Sequence, residues 1–180
     1  MSYVLQRDSL MNPGLKYLLM KEITITTIIR QCRPDELPSE TRQLAKKAIE
    51  MVEHAYAPYS GFQVGAAILL SNGKVVGGSN QENAAFPSGM CAERTACYQA
   101  GALYPYAAFR RIVIAAGKRN KEGVFELTPQ PISPCGACRQ ALLEYETKGA
   151  GPVEVVLYGA ETCYVFPSVA SLLPYAFTDF

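Results

Sequence analysis

Phe62–Leu70 is apolar at almost every position, and Asn72-Gly73 follows it directly. A strand with one wet face alternates apolar and polar residues, so a strand that does not alternate must be covered on both faces. This run therefore demands a sheet with layers packed on either side. Asn-Gly is the favoured two-residue hairpin turn, so Lys74–Ser79 returns as a second strand. Upstream, Ser39 suits a helix N-cap, and Leu44, Ala45, Ala48, Val52 and Ala55 recur at helical spacing. Pro58 is the expected end of that helix. Downstream, helices are predicted at Cys91–Ala100 and Gly136–Thr147. Strands are predicted at Ile112–Ala116, Val153–Leu157 and Cys163–Phe166, and a turn of helix at Ser171–Phe177. A hairpin followed by alternating helices and strands is an α/β layer fold with a mixed sheet. A chain of 180 residues suits one domain.

Pro34–Pro38 reads as a linker, dividing an extension over 1–33 from a domain over 34–180. The extension holds an Asn12-Pro13-Gly14 turn signal and an alternation over Glu22–Ile29 (Ile23, Ile25, Thr27, Ile29), which predicts one added strand. Met11 and Met20 each read as a start, which makes part of the segment leader or expression-derived sequence. No apolar run approaches the ~18 residues of a membrane span, and Leu15–Met20 is too short for a signal-peptide core. The expectation is a cytoplasmic protein with no membrane partner, whose six cysteines are thiols or metal ligands. A net charge of +1 argues against a nucleic-acid binder that works by phosphate neutralisation. Charged residues make up 18% of the chain, below the average of about 25%, which points to apolar surface and a homo-oligomer.

Three cysteines sit in two compact motifs, Cys91-Ala92-Glu93-Arg94 and Pro134-Cys135-Gly136-Ala137-Cys138-Arg139-Gln140. Spacing of three puts Cys135 and Cys138 on one face of a first helical turn, and Pro134 fits the helix start. A lone Cys-x-x-Cys has several meanings: a redox pair, half of a structural zinc site, or two buried thiols. No second pair completes a four-cysteine site. With Cys91 the count is three thiolates and one open position, and open positions mark catalytic zinc. Glu93 lies two residues beyond Cys91, where a carboxylate beside a metal-bound water serves as a proton shuttle. Three thiolates on Zn²⁺ leave an excess negative charge, and Arg94 and Arg139 are the candidate compensators, by hydrogen bonds to the sulfurs. Cys32, Cys97 and Cys163 read as buried or incidental thiols. The single histidine, His54, reads as the end of a helix.

These motifs resemble those of the zinc-dependent nucleoside and base deaminases. Five blocks resemble the small homotetrameric cytidine deaminases in particular: Tyr56–Ala67, Asn80-Gln-Glu-Asn83, Cys91–Ala96, Pro134–Gln140 and Leu172–Phe177. They span Pro34 to Phe177 in the family's order. The resemblance implies a three-layer α/β/α cytidine-deaminase-like fold, a zinc cofactor held by Cys91, Cys135 and Cys138, and Glu93 as the catalytic acid and base. It further implies that Phe62 packs against the pyrimidine, that Asn80 and Glu82 hydrogen-bond the ribose hydroxyls, and that the Ala92 backbone contacts the base. Phe177 matches an aromatic that reaches a neighbouring subunit's site in a homotetramer with shared active sites. Ala85-Phe86-Pro87-Ser88-Gly89 departs from the family's usual loop at the rim of the base pocket.

The implied reaction is hydrolytic deamination of cytidine and 2′-deoxycytidine by a zinc-bound hydroxide with a glutamate proton shuttle, as in pyrimidine salvage. The implied partner is a small pyrimidine nucleoside. The polynucleotide deaminases usually open their first motif with His, whereas this chain has Cys91 there and its single histidine, His54, precedes no Ala-Glu pair. The alternatives are a deaminase of a modified cytosine nucleoside such as blasticidin S and, from another class, a non-catalytic zinc-dependent nucleoside-binding protein.

Overall fold

The computed structural model describes residues 21–178. The Asn12-Pro13-Gly14 turn, Leu15–Met20 and the start candidates Met11 and Met20 lie outside the described residues. Seven strands are described: β1 (Arg30–Cys32), β2 (Phe62–Leu70), β3 (Val75–Ser79), β4 (Phe109–Arg119), β5 (Phe125–Leu127), β6 (Glu154–Tyr158) and β7 (Cys163–Phe166). Three helices accompany them: α1 (Ser39–Glu53), α2 (Ala92–Leu103) and α3 (Gly136–Lys148). The sheet runs β1-β7-β6-β4-β2-β3, with β5 pairing the far end of β4. Only the β4–β6 pair is parallel among these ladders, so the sheet is mixed.

Both faces of the central strands are covered, as the unbroken apolar run over Phe62–Leu70 requires. On one face Val64, Ala66, Ile68, Ile112 and Ile114 pack with residues of α2 and α3. On the other, Ala67, Val113 and Ala115 pack with Leu44, Ala45, Ala48 and Val52 of α1. Two glycines set how closely the helices approach. A Cβ at Gly65 would come within 2.1 Å of the Ala48 carbonyl on α1, and a Cβ at Gly78 within 2.4 Å of the Ala96 amide on α2. Gly78 thereby holds α2 against β3 with almost no gap, which fixes the height of the helix start at Cys91.

The structure moves several predicted boundaries. The added strand falls at Arg30–Cys32 and not at Glu22–Ile29, because β7 offers its open edge in register with Arg30, Gln31 and Cys32. Ile23, Ile25, Ile28 and Ile29 are exposed instead. The N-cap of α1 is Pro38, with Ser39 the first helical residue. The helix ends at Glu53, before Pro58, because Tyr56 leaves it to donate its N–H to the Asn80 carbonyl while Glu82 N–H donates back to Tyr56. The strand β5 has no counterpart in the sequence pattern. The turn near the C-terminus is a 3-10 turn over Val169–Leu172, earlier than the predicted Ser171–Phe177.

Candidate active site

Cys91 caps the N-terminus of α2, and Cys135 caps that of α3. The start of α2 is placed by Gln81 and Met90, which exchange two backbone hydrogen bonds of 2.8 Å, closing the loop between them and returning the chain beside the end of β3. Helix N-termini favour thiolate over thiol, which suits Cys91 to a charged form. Cys91 Sγ lies 3.9 Å from Cys135 Sγ, and Cys135 Sγ lies 3.4 Å from Cys138 Sγ. All three sulfurs fall within 4.8 Å of one another. Zinc–sulfur bonds of ~2.3 Å in a tetrahedron put sulfurs ~3.8 Å apart, so this donor set fits zinc with one position left over.

The thiols are already electrostatically biased. Cys91 is brought down to about 5, first by a hydrogen bond from Cys138 and then by Arg94, against the opposing effect of burial. Cys138 is pushed up correspondingly by its bond to the Cys91 sulfur and by burial. Arg94 Nη2 stands 3.8 Å from Cys91 Sγ. Arg139 is not there. Its three nitrogens donate to the Pro134 carbonyl, the Leu172 carbonyl and Ser133 Oγ, and to no sulfur. Cys97 and Cys163 are buried and Cys32 is half-buried.

Beside the cysteines opens a pocket of about 860 Å³. Glu93, in the first turn of α2, lines it although the residue is only 4% exposed. Burial pushes its carboxyl above the usual carboxylate range, and the negative charge on Cys91 adds to the effect. Phe62 and Ala92 line the same pocket, as do Asn80 and Glu82. Phe62 opens β2, and Lys118 Nζ sits 5.7 Å from its ring centroid. Asn80 is held by its own amide: Oδ1 accepts from Val64 N–H at 2.8 Å and Nδ2 donates to the Phe62 carbonyl at 2.9 Å. Glu82 accepts from the Ser60 hydroxyl and from the Tyr59 and Ser60 amides, and the hydroxyl is the main reason its carboxyl lies below the usual range. Phe177 is 67% exposed and does not line this pocket; its carbonyl accepts from Gln140 Nε2.

Other lining residues were not singled out from sequence. Tyr59 and Ser60 belong to the block around Phe62, and Ile132 and Ser133 directly precede Pro134. Their proximity to motif residues was the available signal. Phe86, in the Ala85–Gly89 loop, stands at the rim and is 91% exposed. Among the described residues no helix is long and apolar enough to cross a membrane.

Comparison with known proteins bears on this arrangement. The family described as "Cytidine and deoxycytidylate deaminase zinc-binding region" matches residues 38–150. The cytidine deaminase of Halalkalibacterium halodurans is 40% identical over 139 residues, covering 77% of this chain and 95% of its own length. That of Sporosarcina psychrophila is 36% identical over 139 residues, covering 77% and 92%. Among solved structures, the cytidine deaminase from Burkholderia pseudomallei is 40% identical with a TM-score of 0.61, over 78% of this chain and 100% of that one.

Proposed function

The chain belongs to the cytidine and deoxycytidylate deaminase zinc-binding family, and from that premise we propose that it hydrolyses cytidine and 2′-deoxycytidine to uridine and 2′-deoxyuridine, releasing ammonia. The observation that carries the reading is Glu93: a buried carboxylate with a raised pKa, facing a nucleoside-sized pocket beside a three-thiol metal site. When bound by Cys91, Cys135 and Cys138, zinc supplies the Lewis acidity that makes water a nucleophile near neutral pH. Glu93 takes a proton from the attacking water and gives it to N3 of the pyrimidine as the C–O bond forms at C4. It then carries the second water proton to the departing amine, so that the C–N bond breaks with ammonia as leaving group. Burial suits this role, because a carboxyl held above the usual carboxylate range keeps the proton that it must pass on. Arg94 offsets thiolate charge at Cys91.

The remaining assignments follow the pocket. Phe62 stacks on the base and the Ala92 backbone meets its edge. Asn80 keeps one lone pair and one N–H beyond its bonds to β2, and with Glu82 it receives the ribose hydroxyls. The exposed Phe177 covers the site of a neighbouring chain in a homotetramer, a reading that the low charge fraction supports. The protein acts in cytoplasmic pyrimidine salvage.

The test is loss of substrate absorbance with cytidine, deoxycytidine, cytosine and blasticidin S offered separately to zinc-loaded protein. Turnover of the two nucleosides, with cytosine poor, is the expected result. Turnover of blasticidin S alone makes the protein a deaminase of modified nucleosides, and tight binding with no turnover of any compound makes it a binding protein.

A further inference from the structure

Arg139 reaches two segments that are distant in sequence. Its Nε donates to the Pro134 carbonyl at 2.9 Å and its Nη2 to Ser133 Oγ at 2.7 Å. Ser133 and Cys135 line the pocket on either side of Pro134, so these two bonds grip the pocket wall next to the metal ligands. Its Nη1 donates to the Leu172 carbonyl at 2.9 Å, at the end of the 3-10 turn from which the C-terminal segment departs. A planar guanidinium presents its donors in a fixed fork, so the three acceptors are held at fixed angles to one another.

The other end of the same turn is held by a different residue. Glu146 is buried, and its carboxylate accepts the amides of Val169, Ala170 and Val153. Arg139 and Glu146 stand two helical turns apart on one face of α3. The turn is thus clamped by a carboxylate at its amide end and a guanidinium at its carbonyl end. Gln140 Nε2 adds a bond to the Phe177 carbonyl at 2.8 Å. Only Arg139 also reaches the pocket wall.

We propose that Arg139 is a positioning residue that locks the Ser133-Pro134 wall of the pocket to the base of the C-terminal segment, so that the two move as one body. The proposal rests on the deaminase reading of the site above. It assigns to Arg139 backbone geometry in place of the thiolate contact that the sequence suggested. A wall shifted by a fraction of an ångström misplaces the substrate against Glu93, which acts on the transition state more than on ground-state binding.

The test compares Arg139→Ala, Arg139→Lys, Ser133→Ala and Glu146→Gln by zinc content, steady-state kinetics and amide hydrogen exchange. Losing bonds from a charged donor, Arg139→Ala should lower kcat roughly ten- to hundredfold with KM nearly unchanged and zinc retained. Exchange should rise together at 135–138 and 172–178. Arg139→Lys keeps the charge without the fork and should resemble the alanine variant, and added guanidinium ion should restore kcat to Arg139→Ala. Glu146→Gln should loosen 169–173 and the Val153 amide, leave 135–138 unchanged and leave kcat near wild type. Should Arg139→Ala not fold, Ser133→Ala decides the matter, with raised exchange at 135–138 and a smaller loss of kcat. Exchange rising only at 172–178, kcat unchanged in Arg139→Ala or Ser133→Ala, or an equal kcat loss in Glu146→Gln would overturn the proposal. A wild type inactive on cytidine would instead remove the deaminase reading, and the exchange pattern would still decide whether Arg139 couples the two segments.

Discussion

Two carboxylates face one pocket and have been given opposite chemistry. Glu93 rises from the first turn of α2, packed against the sheet, and burial holds its carboxyl above the ordinary range. Glu82 sits in the exposed loop after β3, and the Ser60 hydroxyl holds its carboxyl below that range. A carboxyl that resists ionisation can shuttle a proton, whereas one that stays ionised can only accept hydrogen bonds. The pocket is divided in the same way. Its thiol corner is built on two helix starts, of which that of α2 is held by Gly78 and the Gln81–Met90 bonds. Its opposite wall is built from turns around Tyr59, Glu82 and Phe86. In the proposed reading, reaction chemistry falls to the thiol corner and substrate choice to the loops.

This division can be broken experimentally. The largest effect is expected from Cys138→Ala, which removes the buried member of the thiol triad. Zinc should be lost from the purified protein and turnover should vanish, as metal analysis and cytidine absorbance would show. Stoichiometric zinc with full activity would remove Cys138 from the ligand set. Next, Glu93→Gln keeps the shape but cannot carry protons, and kcat should fall by ~10²–10⁴-fold or more. On the opposite wall, Glu82→Ala should raise KM for cytidine roughly ten- to hundredfold with little change in kcat. Free cytosine should already be a poor substrate for the wild type, and efficient cytosine turnover would contradict a ribose contact.

The smallest effect concerns the C-terminal segment. A chain cut before Phe177 should lose about two- to tenfold in activity, the size of one aromatic contact. Co-assembled with the Glu93→Gln chain, it should recover, since each would supply what the other lacks. No recovery in preparations shown to contain mixed oligomers would assign the ring to its own chain.

What was legible in the sequence follows the same division. The two-faced burial of Phe62–Leu70, the Asn72-Gly73 hairpin and the helix starts at both cysteine motifs follow from local pattern, because a rigid sheet enforces its periodicity. Contacts set by tertiary reach were not legible. The end of α1 is decided by a backbone exchange between Tyr56 and the Asn80–Glu82 segment, which no propensity of Pro58 reports. The strand β5 is three residues long and exists because β4 outruns β6. The alternation near Ile23 suggested a strand, yet among the described residues it is Arg30–Cys32 that pairs the outer edge of β7. Arg139 follows Cys138 in sequence, but its long side chain runs to Leu172, thirty-three positions away. Its neighbour in sequence was no guide to its neighbours in space.

The central claim is that Glu93 supplies proton transfer and no metal bond, while the cysteines supply the metal. The direct measurement is zinc content and cytidine turnover determined on one preparation of Glu93→Gln. One zinc per chain with turnover nearly abolished is the expected result. Loss of zinc from that variant would make Glu93 a ligand, and near-normal turnover with zinc bound would show that the proton moves by another route.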